Sequence, residues 1–580
     1  MKRYLYIFLL IPLGLYSQDL EIPIQDGRYI IDHQLKLIIC NEDINSYLDE
    51  INVLTLVLDN QKFTFTEIPS SFNYSNNYAI TCNNDIYQIY FSNFPIINIT
   101  ISEDIVNEPK KLATFKLSNP QDSSLIVSFC GIERRGGYSQ SFPKKSYDLE
   151  LWKNELGEKR KTSLLGMRDD DDWLLLAMYN EPLRIRNVFA HQLWKDLHKE
   201  QGLIRNSKGF YGINTHYIEL SINNEYLGVY ALTEQIDRKQ LEVEKFDGLI
   251  SGQIYKSVSW GEAVLFEELI PYNNNNVLWG GYEVKYPDDE IIIEWSYLYD
   301  FIDFIMNSTD VDFTQNINHR FDLVNAIDYF IFLNILRASD NRAKNIYLAK
   351  KNSSSPYFYT PWDLDGILGN NWKGLEANIY DDILDNRMYS RLINMDNHRF
   401  TASASNRWFE LREDLLSEEH LVESILEPYN LLVSNAIYDR EILKWGAEVY
   451  IPSSGIYVEK DISNDISYTL SWLNNRLKAL DVYFDTIAPS IDELYFLYPN
   501  PIQSAFFIES NYLDVMQSYQ IYDLRGVLLR EGEIIYGQEI NISGFKSGMY
   551  IIRIITDQED YIYNSQGRFS TISNLKLIKQ

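Results

Sequence analysis

The sequence predicts an α+β protein with several domains. Short segments in which apolar and polar residues alternate lie near both ends of the chain, for example at 35–39, 54–58 and 550–554, as is typical of strands. Segments at about 183–198 and 323–336 repeat apolar residues every three to four positions, as helices do. A chain of 580 residues has room for three or four domains with buried cores.

The first residues have the pattern of an export signal. Lys2 and Arg3 precede an uncharged apolar stretch at 4–16, and Ser17 offers a small-residue cleavage point. The stretch is too short for a comfortable membrane span, and no later segment approaches the roughly 18 apolar residues that a span needs. We therefore expect residues 1–17 to be a signal peptide. The mature protein would be secreted or lie at the outer cell surface, with no integral membrane segment.

Composition narrows the candidate partners and sites. The 82 acidic residues outnumber the 52 basic ones, which gives a net charge of −30, and no block of Lys or Arg occurs. Nucleic acid and anionic membranes, which need a basic face, are therefore not expected as partners. The 7 histidines form no HxxxH or HExxH pattern, which argues against a multi-histidine zinc site. Cys40, Cys82 and Cys130 allow either a bridge between the first two or three buried thiols.

Four regions follow from the patterns along the chain. After the signal peptide, residues 18–118 are β-rich, with short strands separated by Asn, Asp and Ser clusters. Residues 119–486 mix strands with helices and are largely helical from about 290 to 337 and from 405 to 485. Beyond a linker near Pro489, residues 487–580 contain short strands punctuated by turns, which predicts a small β-sandwich.

The clearest chemical signal lies between 337 and 366. A predicted helix leads to Asp340 and, five residues later, Asn345; a predicted hairpin follows and ends at Asp363, Asp365 and Gly366. Phosphoryl transfer needs one carboxylate to orient the acceptor hydroxyl and oxygen ligands for a divalent cation, and protein kinases space these groups similarly. The pattern predicts Asp340 as the catalytic carboxylate and Asn345 and Asp363 as ligands of Mg²⁺ or Mn²⁺.

Two other interpretations of these residues stay open. Asp and Asn are common in loops, so the spacing alone is weak evidence, and Asp365 with Gly366 could simply form a turn. Asp363 and Asp365 could also be a glycosidase acid/base pair. Two residues apart on one strand, however, they would lie too close for an inverting pair, and the upstream lysines would have no use.

An upstream segment supplies candidate phosphate contacts. Arg135 and Gly136 lie in a glycine-containing turn that could approach phosphates, and the segment 142–151 then alternates as a strand. This alternation places Lys145 with apolar neighbours and Lys144 with polar ones. A lysine among apolar side chains needs an anion, which could be a nucleotide phosphate or a buried carboxylate. Lys145 is therefore favoured over Lys144.

Two smaller acidic signals are less specific. Glu219 and Glu234 lie in or near a predicted strand pair, at 217–221 and 226–233, that could wall a nucleotide pocket. The run from Asp169 to Asp172 could bind a cation such as Ca²⁺, but a solvated loop before a buried tryptophan explains it more simply.

Taken together, the motifs resemble the CotH family of atypical secreted protein kinases. The resemblance covers about residues 94–484. It rests on the segments 135–136 with 143–147, 165–167 with 170–173, 186–187, 226–230 with 234–237, 254–256, and the loops around Asp340 and Asp363. It implies a kinase-like central domain that binds ATP and Mg²⁺ or Mn²⁺ and phosphorylates Ser/Thr of a protein. Lys145, Arg135 and Gly136 would contact the nucleotide. One departure is Gly137, which stands where many relatives have Asn.

The C-terminal region resembles the type A sorting domain of the Bacteroidetes type IX secretion system. The resemblance rests on four segments, 498–501, 523–526, 547–550 and 576–580. It implies recognition by the outer-membrane translocon after export through the inner membrane. A longer than usual stretch between Ile555 and Asn574 is a departure from the family pattern.

A rival hypothesis retains the kinase-like fold but assigns it no catalytic activity. The chain could be a catalytically inactive kinase-like scaffold displayed at the cell surface for adhesion or binding. ATP is scarce outside cells, so an active enzyme would have to work in the periplasm or use another donor. Metal-dependent nucleotide binding separates the two hypotheses.

Overall fold

A computed structural model describes residues 18–48, 51–205, 212–288, 291–395, 399–488, 495–510, 517–535, 538–556, 562–564, 567–569 and 572–580. The predicted signal peptide, 1–17, lies outside these residues. The chain divides into two compact units. The first contains the residues up to Ala177 with His216–Thr233 and Asn430–Glu448. The second contains Met178–Thr215, Glu234–Tyr429 and Val449–Gln580.

The first unit begins with a seven-stranded sheet. Its strands are β1 Gln18–Pro23, β2 Tyr29–Asp32, β3 Leu37–Cys40, β4 Ile51–Leu58, β5 Gln61–Phe65, β6 Asn77–Cys82 and β7 Asp85–Phe91, in the order β1-β4-β5-β6-β7-β3-β2. The core of this sheet is apolar and includes Ile38, Leu56, Phe63 and Ile89. Cys40, Cys82 and Cys130 are buried free thiols, so no bridge joins the first two.

A closed seven-stranded barrel follows in the same unit. The elements of this segment are β8 Ile96–Thr100, β9 Lys111–Asn119, β10 Ser124–Arg135, β11 Ser146–Trp152, β12 Thr162–Ser163, β13 Asp169–Asp170, β14 Asp172–Leu176, α1 Arg186–Arg205, β15 Thr215–Ile222 and β16 Glu225–Thr233. The barrel order is β10-β11-β14-β16-β15-β8-β9, whereas α1 belongs to the second unit. Strand β11 buries Tyr147, Leu149 and Leu151 inside the barrel, as its alternation predicts.

The middle of the second unit combines a sheet with a buried helix. The elements are β17 Gln253–Ser257, β18 Leu278–Trp279, β19 Tyr282–Tyr286, α2 Ser296–Asn307, α3 Asp310–Arg320, α4 Leu323–Leu336, β20 Ile346–Lys350 and β21 Tyr357–Pro361. The strands form an antiparallel sheet in the order β18-β19-β17-β20-β21. Helix α4 and the β20–β21 hairpin confirm the sequence prediction. Asp322 caps α4 by accepting from the backbone N–H groups of Val324 and Asn325.

Helices dominate the chain from 387 to 487. They are α5 Arg387–Met395, α6 Arg399–Arg412, α7 Glu418–Ser434, α8 Ile437–Trp445 and α9 Ile462–Ile487, with the strand pair β22 Glu448–Ile451 and β23 Ile456–Glu459. Helix α8 belongs to the first unit and contacts β16 there. Helix α4 packs against α6 and α9 in the second unit. Because α4 is apolar on all sides, only such enclosure accommodates it.

The C-terminal strands form two small sheets and one separate strand pair, β30-β31. The strands are β24 Tyr495–Tyr498, β25 Ala505–Ser510, β26 Gln517–Asp523, β27 Leu528–Glu533, β28 Ile540–Asn541, β29 Gly548–Thr556, β30 Ile562–Asn564, β31 Gly567–Phe569 and β32 Ile572–Lys579. One sheet has the order β24-β25-β28 and the other β27-β26-β29-β32. Phe506, Ile521, Ile552 and Leu577 lie in their shared core. Part of the 555–574 stretch lies outside the described residues.

The fold as a whole contains both sheets and helices, as the predicted α+β class requires. Helix α1 begins at Arg186, three residues later than the sequence predicts, because Arg184 has a left-handed φ of 58°. In the described part of the chain, no helix is both long and apolar enough to cross a bilayer.

Candidate active site

The loop that carries Asp340 begins where helix α4 ends. Arg337 closes the helix in the left-handed conformation, with φ of 49°, and its guanidinium forms a bidentate ion pair with Asp382 at 2.8 and 2.7 Å. A short 3-10 turn, Asp340–Arg342, follows at once. Asp340 is thus fixed to the end of a buried helix.

Asn341 holds this loop against the next one. Its side-chain amide is buried and donates to the carbonyl oxygens of Asn345, at 3.0 Å, and Trp362, at 2.7 Å. Its own carbonyl accepts from the hydroxyl of Tyr329 at 2.8 Å. Asn341, which follows Asp340, is therefore hydrogen-bonded to Trp362, which precedes Asp363. These bonds join the two loops into one structural element.

Asn345 and Asp363 lie at neighbouring ends of the β20–β21 hairpin. The backbone N–H of Trp362 donates to the Asn345 carbonyl at 2.9 Å, one position beyond the strand pair Ile346–Pro361. Asn345 and Asp363 both have left-handed φ angles, 59° and 56°, which non-glycine residues rarely adopt. Such backbone strain is concentrated at functional sites.

Asp365 is held from a separate segment. The amide of Asn180 donates to one of its carboxylate oxygens at 2.5 Å, and Asn187 accepts from the backbone N–H of Leu364 at 2.8 Å. Gly366 is required here because a Cβ at this position would come within 2.9 Å of the backbone nitrogen of Trp372. Asp365 and Gly366 therefore belong to a loop braced from two sides rather than to an isolated turn.

The three aspartates of these loops repel one another electrostatically. Burial raises the pKa of Asp365 to about 8, and the charges of Asp363 and Asp340 add to that rise. Burial also raises the pKa of Asp340, and the negative charge of Asp363 adds to that rise. The positive charge of Lys344 and a hydrogen bond from the Trp260 side chain lower the pKa. Burial and neighbouring carboxylates thus disfavour the charged forms of Asp340 and Asp365.

The side chains of these loops are of the chemical type that a divalent cation such as Mg²⁺ or Mn²⁺ prefers. Asp340, Asp363 and Asp365 make no ion pair within the described residues. The Asn345 side chain is only 7% exposed, and among those same residues its amide makes no hydrogen bond. Carboxylate and amide oxygens are the ligands that hard divalent cations prefer. A cation would also relieve the repulsion between the aspartates.

One further carboxylate lies close enough to contribute. Glu181 is fully buried, and its negative charge raises the pKa of Asp365. One of its oxygens pairs with Arg186 at 3.3 Å, and the other has no hydrogen-bond partner. A lysine also lies near: the Lys256 ammonium is 6.0 Å from the ring centre of Trp362.

The turn with Arg135 and Gly136 lies in the first unit. It joins β10 to β11, and a 3-10 turn, Tyr138–Ser141, forms part of it. Gly136 has a φ of 101°, and a Cβ there would collide with the Ser139 hydroxyl, so only glycine is accommodated. The glycine-containing turn is therefore present, while the phosphate contacts assigned to Arg135 and Gly136 remain predictions.

The structure corrects the expected environment of Lys145. Strand β11 begins only at Ser146, so the alternation does not extend to Lys145, which is half-buried. Its ammonium donates to the carbonyls of Gln140, at 2.7 Å, and Phe142. Burial and the charge of Arg134 lower its pKa. Its role toward a nucleotide remains a prediction.

Lys144 is the lysine that the barrel buries. Its side chain is 0% exposed and its ammonium donates to Glu441 on α8 at 2.8 Å and to the Val229 carbonyl at 2.6 Å. The ammonium also lies 4.7 Å from the ring centre of Tyr230. The anion that meets the buried lysine is thus a carboxylate of the same unit.

The remaining acidic signals have local partners. Glu219 is fully buried, and Arg440 pairs with it at 2.8 and 3.1 Å, so this carboxylate supports the fold. Glu234 accepts from the backbone and side chain of Asn214. In the aspartate run, Asp171 and Asp172 approach Glu150, but Lys159 and Lys110 lie among them. Protein ammonium groups already offset much of the negative charge of this cluster.

Comparison with known families identifies the class. Residues 132–480, more than half of the chain, match the family described as CotH kinase protein. The chain therefore belongs to the CotH kinase protein family. Residues 496–564 match the secretion system C-terminal sorting domain, which confirms the second resemblance and supports secretion or cell-surface localisation. No curated protein matches the sequence.

Sequence reasoning missed three residues that organise these sites. Asn341 and Asn180 support the aspartate loops, and Glu441 neutralises Lys144. Asn341 could have been suspected from its place within the loop between Asp340 and Asn345. Neither Asn180 nor Glu441 lies near its partner in sequence, and no local pattern marks them.

Proposed function

We propose that this protein is a metal-dependent protein kinase that transfers phosphate from ATP to Ser/Thr hydroxyls of exported or surface proteins. One observation carries the proposal: Asp340, Asn345 and Asp363 lie in two connected loops, and neither aspartate makes an ion pair among the described residues. Membership of the CotH kinase protein family supports it. A displayed scaffold would gain nothing from such costly repulsion.

Asp340 would act on the acceptor. Its carboxylate accepts a hydrogen bond from the acceptor hydroxyl, whose oxygen attacks the γ-phosphorus while the bond to the β–γ bridging oxygen breaks. ADP leaves with that oxygen, and the hydroxyl proton passes to Asp340 and then to solvent. Its raised pKa brings Asp340 nearer the range of a base that can hold this proton briefly.

Asn345 and Asp363 would hold the cation, with Asp365 beside them. When bound, Mg²⁺ or Mn²⁺ neutralises phosphate charge and orients the phosphates for displacement. The protein's contribution is positional, because Asn341, Asn180 and Asn187 fix the loops that carry these ligands.

Lys145, Arg135 and Gly136 would contact the nucleotide from the turn between β10 and β11. Gly136 has a positive φ and no side chain, which suits a turn whose backbone approaches a phosphate. Lys144 is engaged by Glu441, so a role in nucleotide binding would require it to exchange that carboxylate for phosphate.

The route to the surface completes the proposal. A signal peptide at 1–17 would direct export through the inner membrane. The type IX translocon would then recognise the C-terminal sorting domain. Because ATP is scarce outside cells, phosphorylation would occur in the periplasm before secretion or would use another nucleotide donor.

The decisive experiment measures transfer of labelled phosphate from ATP, with Mg²⁺ or Mn²⁺, to the chain itself and to a mixture of exported proteins. We expect label with the wild type and a loss of at least about 100-fold in Asp340→Ala and Asp363→Ala. Asp414→Ala is the matched control, since Asp414 is exposed in the second unit. Absence of both label and metal-dependent ATP binding would favour the inactive scaffold.

A further inference from the structure

A cation and an exposed aromatic ring lie beside the candidate catalytic carboxylate. Arg342 ends the 3-10 turn that begins at Asp340. Its guanidinium carbon lies 5.2 Å from the ring centre of Trp260, and that ring is 46% exposed. The indole N–H of Trp260 also donates a hydrogen bond to the Asp340 carboxylate. The three side chains therefore form one local group in the second unit.

Arg342 differs from four other arginines of this unit. Arg337, Arg391, Arg407 and Arg412 each pair with an aspartate. In the parts of the chain that the structure describes, Arg342 makes no ion pair, and its Nε is buried without a hydrogen-bond partner. A guanidinium offers five N–H donors that match an oxyanion. A buried N–H donor without an acceptor destabilises the protein, which indicates that a bound ligand supplies the acceptor for the Nε–H of Arg342.

We propose that Arg342 and Trp260 form a subsite for a carboxylate side chain of the acceptor protein, next to the hydroxyl that is phosphorylated. This inference rests on the proposed function, because Asp340 there orients that hydroxyl. Arg342 lies in the same turn as Asp340, so a group that it binds lies near the acceptor hydroxyl. The exposed Trp260 ring provides an apolar surface for the methylene groups of a glutamate.

Charge balance explains why an acidic acceptor needs such a subsite. Asp340, Asp363 and Asp365 raise the local negative charge, which would repel a carboxylate on the acceptor. Arg342 offsets that repulsion and adds a directed, charge-assisted contact. Acceptors with glutamate near the hydroxyl would then bind more tightly than neutral ones.

The test uses the full chain and peptides with a central Ser in a neutral background. One series carries a single Glu at each of three positions on either side of that Ser, and a matched series carries Gln. At the favoured position we expect the KM for the Glu peptide to be about tenfold lower than for the Gln peptide, with similar kcat. Arg342→Gln should reduce this ratio to about one. Arg342→Glu should reverse it, so that a Lys peptide is preferred.

Three further variants keep the test independent of misfolding. Trp260→Phe preserves a ring and should retain most of the preference, whereas Trp260→Ala should weaken it. Arg320→Gln is the matched control, because Arg320 is an exposed arginine paired with Asp300. If the wild type shows no Glu preference, or if Arg342→Gln raises the KM for ATP and affects Glu and Gln peptides equally, the acceptor subsite is wrong. The second outcome would assign Arg342 to nucleotide phosphate.

A binding measurement separates this inference from the proposed function. A fluorescent peptide with Ala at the central position and Glu at the favoured position cannot be phosphorylated. Scanned in the same way, such peptides should bind the wild type about tenfold more tightly with Glu than with Gln, and Arg342→Gln should lose that difference. Selective binding without any phosphate transfer would leave the subsite standing and reject the kinase activity. Absence of selective binding by a chain that transfers phosphate would reject the subsite alone.

Discussion

Two parts of the molecule treat buried charge in opposite ways, namely the interior of the first unit and the aspartate loops of the second. In the first, Lys144 meets Glu441 and Arg440 meets Glu219, and all four side chains are almost entirely excluded from solvent. In the second, Asp340, Asp363 and Asp365 face one another, and no described ion pair neutralises them.

The difference distinguishes structural charges from charges that await a ligand. A buried ion pair is satisfied by the fold itself, and removing one partner leaves the other unsolvated. A cluster of like charges is not satisfied by the fold and gains from an added cation. The comparison predicts where substitution damages the fold and where it damages ligand binding.

The largest expected effect on stability is at Lys144. Lys144→Ala leaves Glu441 buried without its cation and should lower the free energy of unfolding by about 3–5 kcal/mol. Lys145→Ala, the matched control, removes contacts to two carbonyl groups and should cost about 1 kcal/mol. Urea denaturation followed by tryptophan fluorescence measures both. Equal effects of the two substitutions would contradict the charge assignment in the first unit.

The second largest expected effect on stability is the stabilisation of the folded protein by a bound metal ion. At a Mn²⁺ concentration about 100 times the dissociation constant, the free energy of unfolding should rise by about 3 kcal/mol. Asp363→Asn should remove most of this response. Asp171→Asn should retain it, because lysines already neutralise the cluster around Asp171. Thermal denaturation with and without Mn²⁺ measures the response. A loss in Asp171→Asn alone would place the cation in the first unit instead.

Asn341 tests the role of hydrogen bonds, rather than charges, in positioning the aspartate loops of the second unit. Asn341→Ala removes the donor to the Trp362 carbonyl and one of the two hydrogen bonds to the Asn345 carbonyl, which should cost about 1–3 kcal/mol of stability. The loops that carry Asn345 and Asp363 would also separate, so Mn²⁺ affinity measured by calorimetry should fall. Asn394→Ala is the control, since Asn394 is exposed. Unchanged metal affinity in a destabilised Asn341→Ala would show that Asn341 supports only the fold.

The sequence predicted the parts of the site that follow from local pattern. Helix α4 and the β20–β21 hairpin have strong periodicity, and their connections bring Asn345 and Asp363 to neighbouring positions. The buried lysine was assigned wrongly because the strand was assumed to begin before Ser146. Strand ends depend on the turn that precedes them, and alternation alone does not show where a turn closes.

Long-range partners could not be predicted at all. Glu441 lies 297 residues from Lys144, and Asn180 lies 185 residues from Asp365. Only the folded chain brings them together, since a polar residue on a helix or loop is equally suited to solvent. The spacing pattern and the family resemblance supplied the roles predicted for Asp340 and Asp363, whereas the structure supplied the residues that position them.

The smallest expected effect tests how completely lysines neutralise the acidic cluster of the first unit. Burial raises the pKa of Asp172 to about 6, although Lys110 and Lys159 oppose the rise. The unfolded chain has an aspartate pKa of about 3.9, so between pH 4 and 6 the folded state binds more protons. The contribution of Asp172 to the free energy of unfolding therefore falls as pH rises through this window.

The substitution Asp172→Asn should raise the free energy of unfolding, relative to wild type, more at pH 7 than at pH 4. Asp169→Asn, at an exposed position, should show no such difference. Urea denaturation at both pH values measures the change, and the opposite sign would mean that the lysines outweigh burial and that the cluster is fully matched.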